Sequence, residues 1–256
     1  MTKIALPCLL ALCALSAAGC VADQGGWQNA AQSAVNAALS GGAGGGGANG
    51  AALTSGQIAL GLREALGVGT QTVVAKLGRA GGFNLDPVIR IALPAPLAKV
   101  DAALTPIGMG ALTDDLQSRM NEAAELAVPQ AKDLFLSAIG QMTIADARGI
   151  LSGGQDAATQ YLRKTMGTEL GVKIQPVIAA TLAQAGAVQA YERVTGQYAA
   201  LPFVAGIKTD LNRYVTDKAL DGIFYYVAQE EAAIRQNPAK RTTEILRAVF
   251  GQQDGR

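Results

Sequence analysis

The densest cluster of side chains able to do chemistry lies between Thr143 and Arg163. Asp146 and Arg148 come before a Ser152-Gly153-Gly154 turn. Asp156, Thr159 and Arg163 follow it at spacings of three and four, on one face of a helix starting near Gln155. A Gly-Gly sequence leading into a helix exposes amides that can hold a phosphate or carboxylate, although the lysine and spacing of a phosphate-binding P-loop are missing. Paired carboxylates, for example Asp146 with Asp156, would suit a carboxylate-dependent hydrolase, which needs two carboxyls in a cleft with separated pKa values. The bland reading of the same residues is structural. Thr143 with Asp146 caps a short helix ending near Gly149, Ser152 with Gln155 caps the next, and the Asp156, Thr159, Arg163 trio pairs or is solvated.

The rest of the chain narrows these options. It has no histidine, which removes Ser-His-Asp and Cys-His catalysis and imidazole metal sites. The three cysteines are Cys8, Cys13 and Cys20, and two of them fall in the leader. The mature chain therefore has neither a disulfide framework nor a thiolate metal site, and no cofactor is indicated. Removing Lys3 with the leader leaves 20 basic against 20 acidic residues. That balance gives no electrostatic footprint for nucleic acid and no basic block in the sequence for anionic lipid headgroups. The expected protein is a non-enzymatic module that binds a periplasmic protein or envelope component. The alternative is a carrier of a lipid or other apolar ligand, with the hydrolase the weakest reading.

Residues 1–19 read as a signal peptide: Lys3, an apolar run from Ile4 to Leu15, then Ser16, Ala17, Ala18 and Gly19. The run is too short to cross a hydrocarbon core that needs ~20 residues. Ala17-Ala18-Gly19-Cys20 resembles the lipobox of bacterial lipoproteins, in which the cysteine thiol takes up diacylglycerol; Ala17 departs from the usual leucine. The resemblance implies a membrane-anchored protein lipidated at Cys20. Val21 in place of aspartate after the cysteine implies the periplasmic face of the outer membrane. Residues 20–52, with the glycine run Gly41 to Gly50, read as a flexible tether whose reach is roughly 30 Å; it also carries the lone Trp27.

From residue 53 to 251 the apolar period is helical. Thr54 and Gln57 form a capping box ahead of an Ile58, Leu62, Leu66, Val73, Leu77 stripe that ends near Gly78, and Gly61, Gly67 and Gly69 are suited to close helix contact. Val88 to Leu93 is a short extended run too isolated to form a sheet. Lys99 to Ile107 is a brief helix, and Thr113 caps another with Leu116, Met120, Ala123 and Ala127 inward. Pro129 breaks or kinks that helix, and Pro176 interrupts one opened at Thr168. Thr209 with Asn212 starts a long helix, and Asn237-Pro238 caps the last. With half the residues hydrophobic but only 5% aromatic, the expected fold is all-α: a single irregular domain of eight or more short helices, in preference to a regular four-helix bundle. Asn121 and Glu125, four apart, are expected to bond to each other or to Lys132. Arg193, Arg213, Asp217 and Lys218 are candidates for interhelix pairs, and Tyr225 and Tyr226 for the core or an aromatic edge.

Several of these segments together resemble one family: Met142 to Tyr161, Asn121 to Glu125, Tyr214 to Gly222, and Glu230 to Arg235 with Arg241-Thr-Thr243. They are similar to the domain of unknown function numbered 4197, a family of helical exported proteins and lipoproteins. The resemblance implies one domain over roughly Leu53 to Gly251 and an exported location, and it implies no reaction. Intact-mass analysis of the mature polypeptide should find a lipid-modified Cys20 at its N-terminus. An unmodified N-terminus would remove the anchor.

Overall fold

The computed structural model describes residues 53–143, 145, 147–197 and 209–251, all within one compact unit, Gly47–Arg256. The signal peptide, Cys20, the tether and Asp146 lie outside the described residues. Among the described residues eight α-helices follow in order: α1 (Ser55–Leu77), α2 (Ala95–Leu104), α3 (Ala111–Gln141), α4 (Ala147–Leu151), α5 (Ala157–Gln184), α6 (Ala187–Gln197), α7 (Leu211–Gln236) and α8 (Glu244–Gly251). Among the described residues there is no strand. The fold is all-α, as the helical period of the sequence indicates.

Helix lengths differ from expectation. Four helices are long, and each packs along two of the others, in the cyclic order α1, α3, α5, α7. Pro129 and Pro176 both sit inside unbroken helices. A proline forfeits one i→i−4 bond and costs ~3 kcal/mol in an isolated helix. In α3 that cost is outweighed by burial on both sides of it, with Ala124, Ala127 and Val128 before and Ala131 and Phe135 after. The Thr54–Gln57 capping box is present, and every member of the α1 stripe is buried. Thr113 does not cap α3, which starts at Ala111. Its buried hydroxyl donates to the Gly110 carbonyl and Asp101 instead.

Two buried glutamates hold the irregular segments to this core. Glu231 on α7 is fully buried and reaches the first turn of α5. There its carboxylate accepts from the Ala158 and Thr159 amides at 3.0 and 2.7 Å, and from the Thr159 hydroxyl at 2.7 Å. Arg235, one turn on, pairs with Glu231 at 2.7 Å and donates to the Leu151 and Ile150 carbonyls that end α4. Arg241 donates to the Ile234 and Arg235 carbonyls at the end of α7. One ion pair thus caps the start of one helix and the end of another.

Glu125 on α3 plays the equivalent part for the loop after α1. It accepts from the amides of Gly81, Phe83 and Asn84 at 2.9, 3.0 and 2.9 Å. Asn121 accepts from the Ile91 amide at 2.8 Å and donates to the Ile91 carbonyl at 2.9 Å. Asn121 and Glu125 therefore bond to loop backbone, not to each other or to Lys132. Phe83 and Ile91 are drawn into the core, and at Gly222 a Cβ would stand 2.9 Å from the Phe83 ring.

Removing one partner of a buried ion pair leaves the other charged and unsolvated, a loss of about 3–5 kcal/mol. Denaturant unfolding of Glu231→Ala should show a loss of that order. The Glu231→Leu, Arg235→Met double variant should recover part of it, and additive losses would mean that the two residues do not act as a pair.

Candidate functional site

The residues expected to share a site are placed apart. Thr159 is buried, its hydroxyl and amide engaged by Glu231. The Gly-Gly turn does lead to a helix with an anion at its N-terminus, but the anion is this protein's own Glu231 carboxylate. Ser152 caps nothing: its hydroxyl donates back to the Arg148 and Gly149 carbonyls, and α5 begins after Asp156. Asp156 accepts from Gln160 at 2.8 Å, and Arg148 donates to the Leu53 carbonyl at 3.1 Å. Asp146 lies outside the described residues. Of the described ones, Arg163 lines a cavity.

That cavity is an open groove of about 710 Å³ between α5 and α7. Four-residue spacing brings Arg163, Gly167, Gly171 and Gln175 to it from α5, and Arg213, Asp217 and Asp221 with Thr216, Leu220 and Phe224 from α7. Arg163 pairs with Asp221, and its guanidinium lies 5.5 Å from the Phe224 ring centre. Lys218 stands 3.8 Å from Asp221, and Arg213 stands 3.9 Å from Asp217. Asp210 caps α7 by accepting from the Arg213 amide. On the groove floor, a Cβ at Gly167 or Gly171 would find nothing nearer than 3.7 and 3.6 Å, so packing does not demand glycine at either position.

The anticipated interhelix pairs are realised in part. Arg193 on α6 does reach Asp115 on α3, at 2.8 Å. Arg213 and Lys218 pair within α7 instead, with Asp217 and Asp221, and of these two only Arg213 lines the groove. The sequence does not mark Asp221, Phe224 and the two glycines as site residues. The signal available for them was the 213, 217, 221 and 163, 167, 171 spacing, which identifies a helix face without revealing its partner.

A second, smaller notch of about 360 Å³ lies beside the pinned loop, lined by Lys76, Arg79, Gly81, Leu85, Asp86 and Pro87 among others. Lys76 sits 3.4 Å above the Tyr226 ring, whose hydroxyl donates to Asp86. Burial tends to raise the Asp86 pKa. The Tyr226 hydroxyl, the Val88 and Ile89 amides and the Lys76 charge outweigh that and hold it below the ordinary carboxylate value. Burial first, and then the hydrogen bond to Asp86, push Tyr226 up to about 12. Tyr225 is partly exposed against Tyr226, with ring centres 5.1 Å apart. Among the described residues, no three Cys, Asp or Glu converge as metal ligands, and no helix is long and apolar enough to cross a membrane.

The family model described as "Protein of unknown function (DUF4197)" matches residues 52–251. No curated protein and no solved structure matches the chain.

The Tyr226–Asp86 pair gives stability a pH signature. The Asp86 contribution is present above its unfolded pKa and is lost as pH falls through the lower folded value. The Tyr226 contribution is present below an unfolded value of ~10 and is lost as pH rises through the folded one. After a rapid pH jump, tyrosinate absorbance should show one tyrosine titrating at about 12. That step should vanish in Tyr226→Phe and move down in Asp86→Asn. A step unmoved by Asp86→Asn would show that the carboxylate is not its cause.

Proposed function

The chain belongs to the DUF4197 family of proteins of unknown function, and from its leader sequence and the geometry of its domain we propose that it is a membrane-anchored periplasmic lipoprotein whose helical domain binds a protein or other envelope component without catalysing a reaction. The α5/α7 groove is the binding surface, and its charge arrangement carries the reading. Both signs line its walls, over an apolar floor of Leu220 and Phe224. Arg163 and Asp221 are each 47% exposed. A pair that open to water is worth ~0–1 kcal/mol to the fold, so a partner can exchange its own charges for these at little cost.

The address comes from the leader and Cys20, with Val21 favouring the outer membrane. The alternatives have less support. Charged side chains border both described cavities, and an apolar cargo would strip water from them while offering no polar contact in return. For a hydrolase, Asp217 and Asp221 face cations, while Asp156 lies off the groove and bonds Gln160.

Val172 lines the groove and is 67% exposed, whereas Val188 on α6 is exposed elsewhere. A photoreactive phenylalanine at position 172 should yield one discrete crosslinked adduct in cells, lost in Asp221→Arg, with none from position 188. The absence of an adduct, or the same adducts from both positions, would remove the groove as the binding surface.

A further inference from the structure

The loop between α1 and α2 presents large apolar side chains to solvent. Leu85 is 80% exposed and Val88 60%, although the backbone on either side is fixed by Glu125 and Asn121 from α3. Water would favour hiding such side chains, yet this turn is held rigidly with both outward. Basic groups surround them. Lys76 and Arg79 share the notch with Leu85. Arg90 is exposed and donates to Asn84, and Arg79 makes no ion pair among the described residues. The acid in the notch, Asp86, already accepts from Tyr226.

We propose that this loop docks on an anionic lipid surface, with Leu85 and Val88 entering the acyl boundary and Lys76, Arg79 and Arg90 meeting headgroup phosphates. Three cations against one acid complement such a surface. The length of chain outside the described domain permits it. The loop stands at the far end of α1 from Leu53, and α1 is about 34 Å long, being 23 residues at ~1.5 Å each. Val21 to Ala52 can span at most roughly 110 Å, so a chain anchored at Cys20 can lay this end against the same bilayer. The inference rests on the membrane address proposed above, but not on the groove.

The test uses Cys20, the one thiol of the mature chain, coupled to a maleimide phospholipid in vesicles so that natural acylation is not required. The reporter is a single tryptophan at the tip, from Leu85→Trp in a Trp27→Phe chain. In vesicles containing phosphatidylglycerol, its emission should shift to the blue and be quenched by brominated lipid. In phosphatidylcholine alone it should do neither. High salt should reverse the shift, and Arg79→Glu with Arg90→Glu should cut the inserted fraction at least about tenfold. A Val188→Trp reporter should remain solvent-like in both vesicles. Solvent-like emission at position 85 in anionic vesicles, equal insertion in neutral ones, or insertion indifferent to the charge reversals would each overturn the proposal.

Discussion

The carboxylate of Glu231 is the constraint on which this domain turns. An ionised carboxylate without water costs several kcal/mol unless its lone pairs are filled. Here two amides, a hydroxyl and a guanidinium fill them. The donors belong to the start of α5 and to α7 itself, and Arg235 extends the connection to the last carbonyls of α4. Removing the carboxylate would leave the buried amides, hydroxyl and guanidinium without their shared acceptor. The charge therefore fixes where α5 begins along α7, and with it which α5 residues face Asp217 and Asp221 across the groove.

Glu125 and Asn121 apply the same chemistry to a loop with no helix or strand of its own. In a sheet, the Ile91 amide and carbonyl would find a neighbouring strand. Here one asparagine satisfies both. Close packing then does the rest. At Gly61 a Cβ would lie 2.5 Å from Val249, and at Gly78 2.7 Å from Pro129. These glycines set how near α8 and α3 come to α1, which is the use their positions suggested for Gly61. The small-residue, aromatic-poor composition suits a core in which side chains of one helix press against glycine on the next.

What was legible in the sequence was local. The Thr54–Gln57 box and the stripes of α1 and α3 each depend on residues within a turn or two, and each is present. Asn237 does cap, but it caps a 3-10 turn over Pro238–Lys240, and the last helix begins only at Glu244. The proline and hydroxyl signals misled because they too are local. Pro129 and Pro176 are overruled by burial from distant helices, and Ser152 loses the capping role to a glutamate far along the chain. The candidate site failed to assemble for the same reason. Spacing correctly put Thr159 and Arg163 on one helix, but α7 draws Thr159 inward to Glu231 and meets Arg163 with Asp221 further out.

That separation along a single helix argues for where function resides. Within α5, the charge-bearing contact near the N-terminus is saturated and inaccessible, so changing it disturbs the fold. One turn later, Arg163 meets a half-exposed partner over an aromatic ring, where exchange costs little. Helix α7 repeats the division, with Glu231 and Arg235 inside and Arg213, Asp217 and Asp221 on the groove wall. The interior charges establish the register between the two helices. The exterior charges inherit that register: Arg163 stands against Asp221 across the groove and Arg213 beside Asp217 on the α7 wall, the mixed-sign surface on which the proposed partner binding depends.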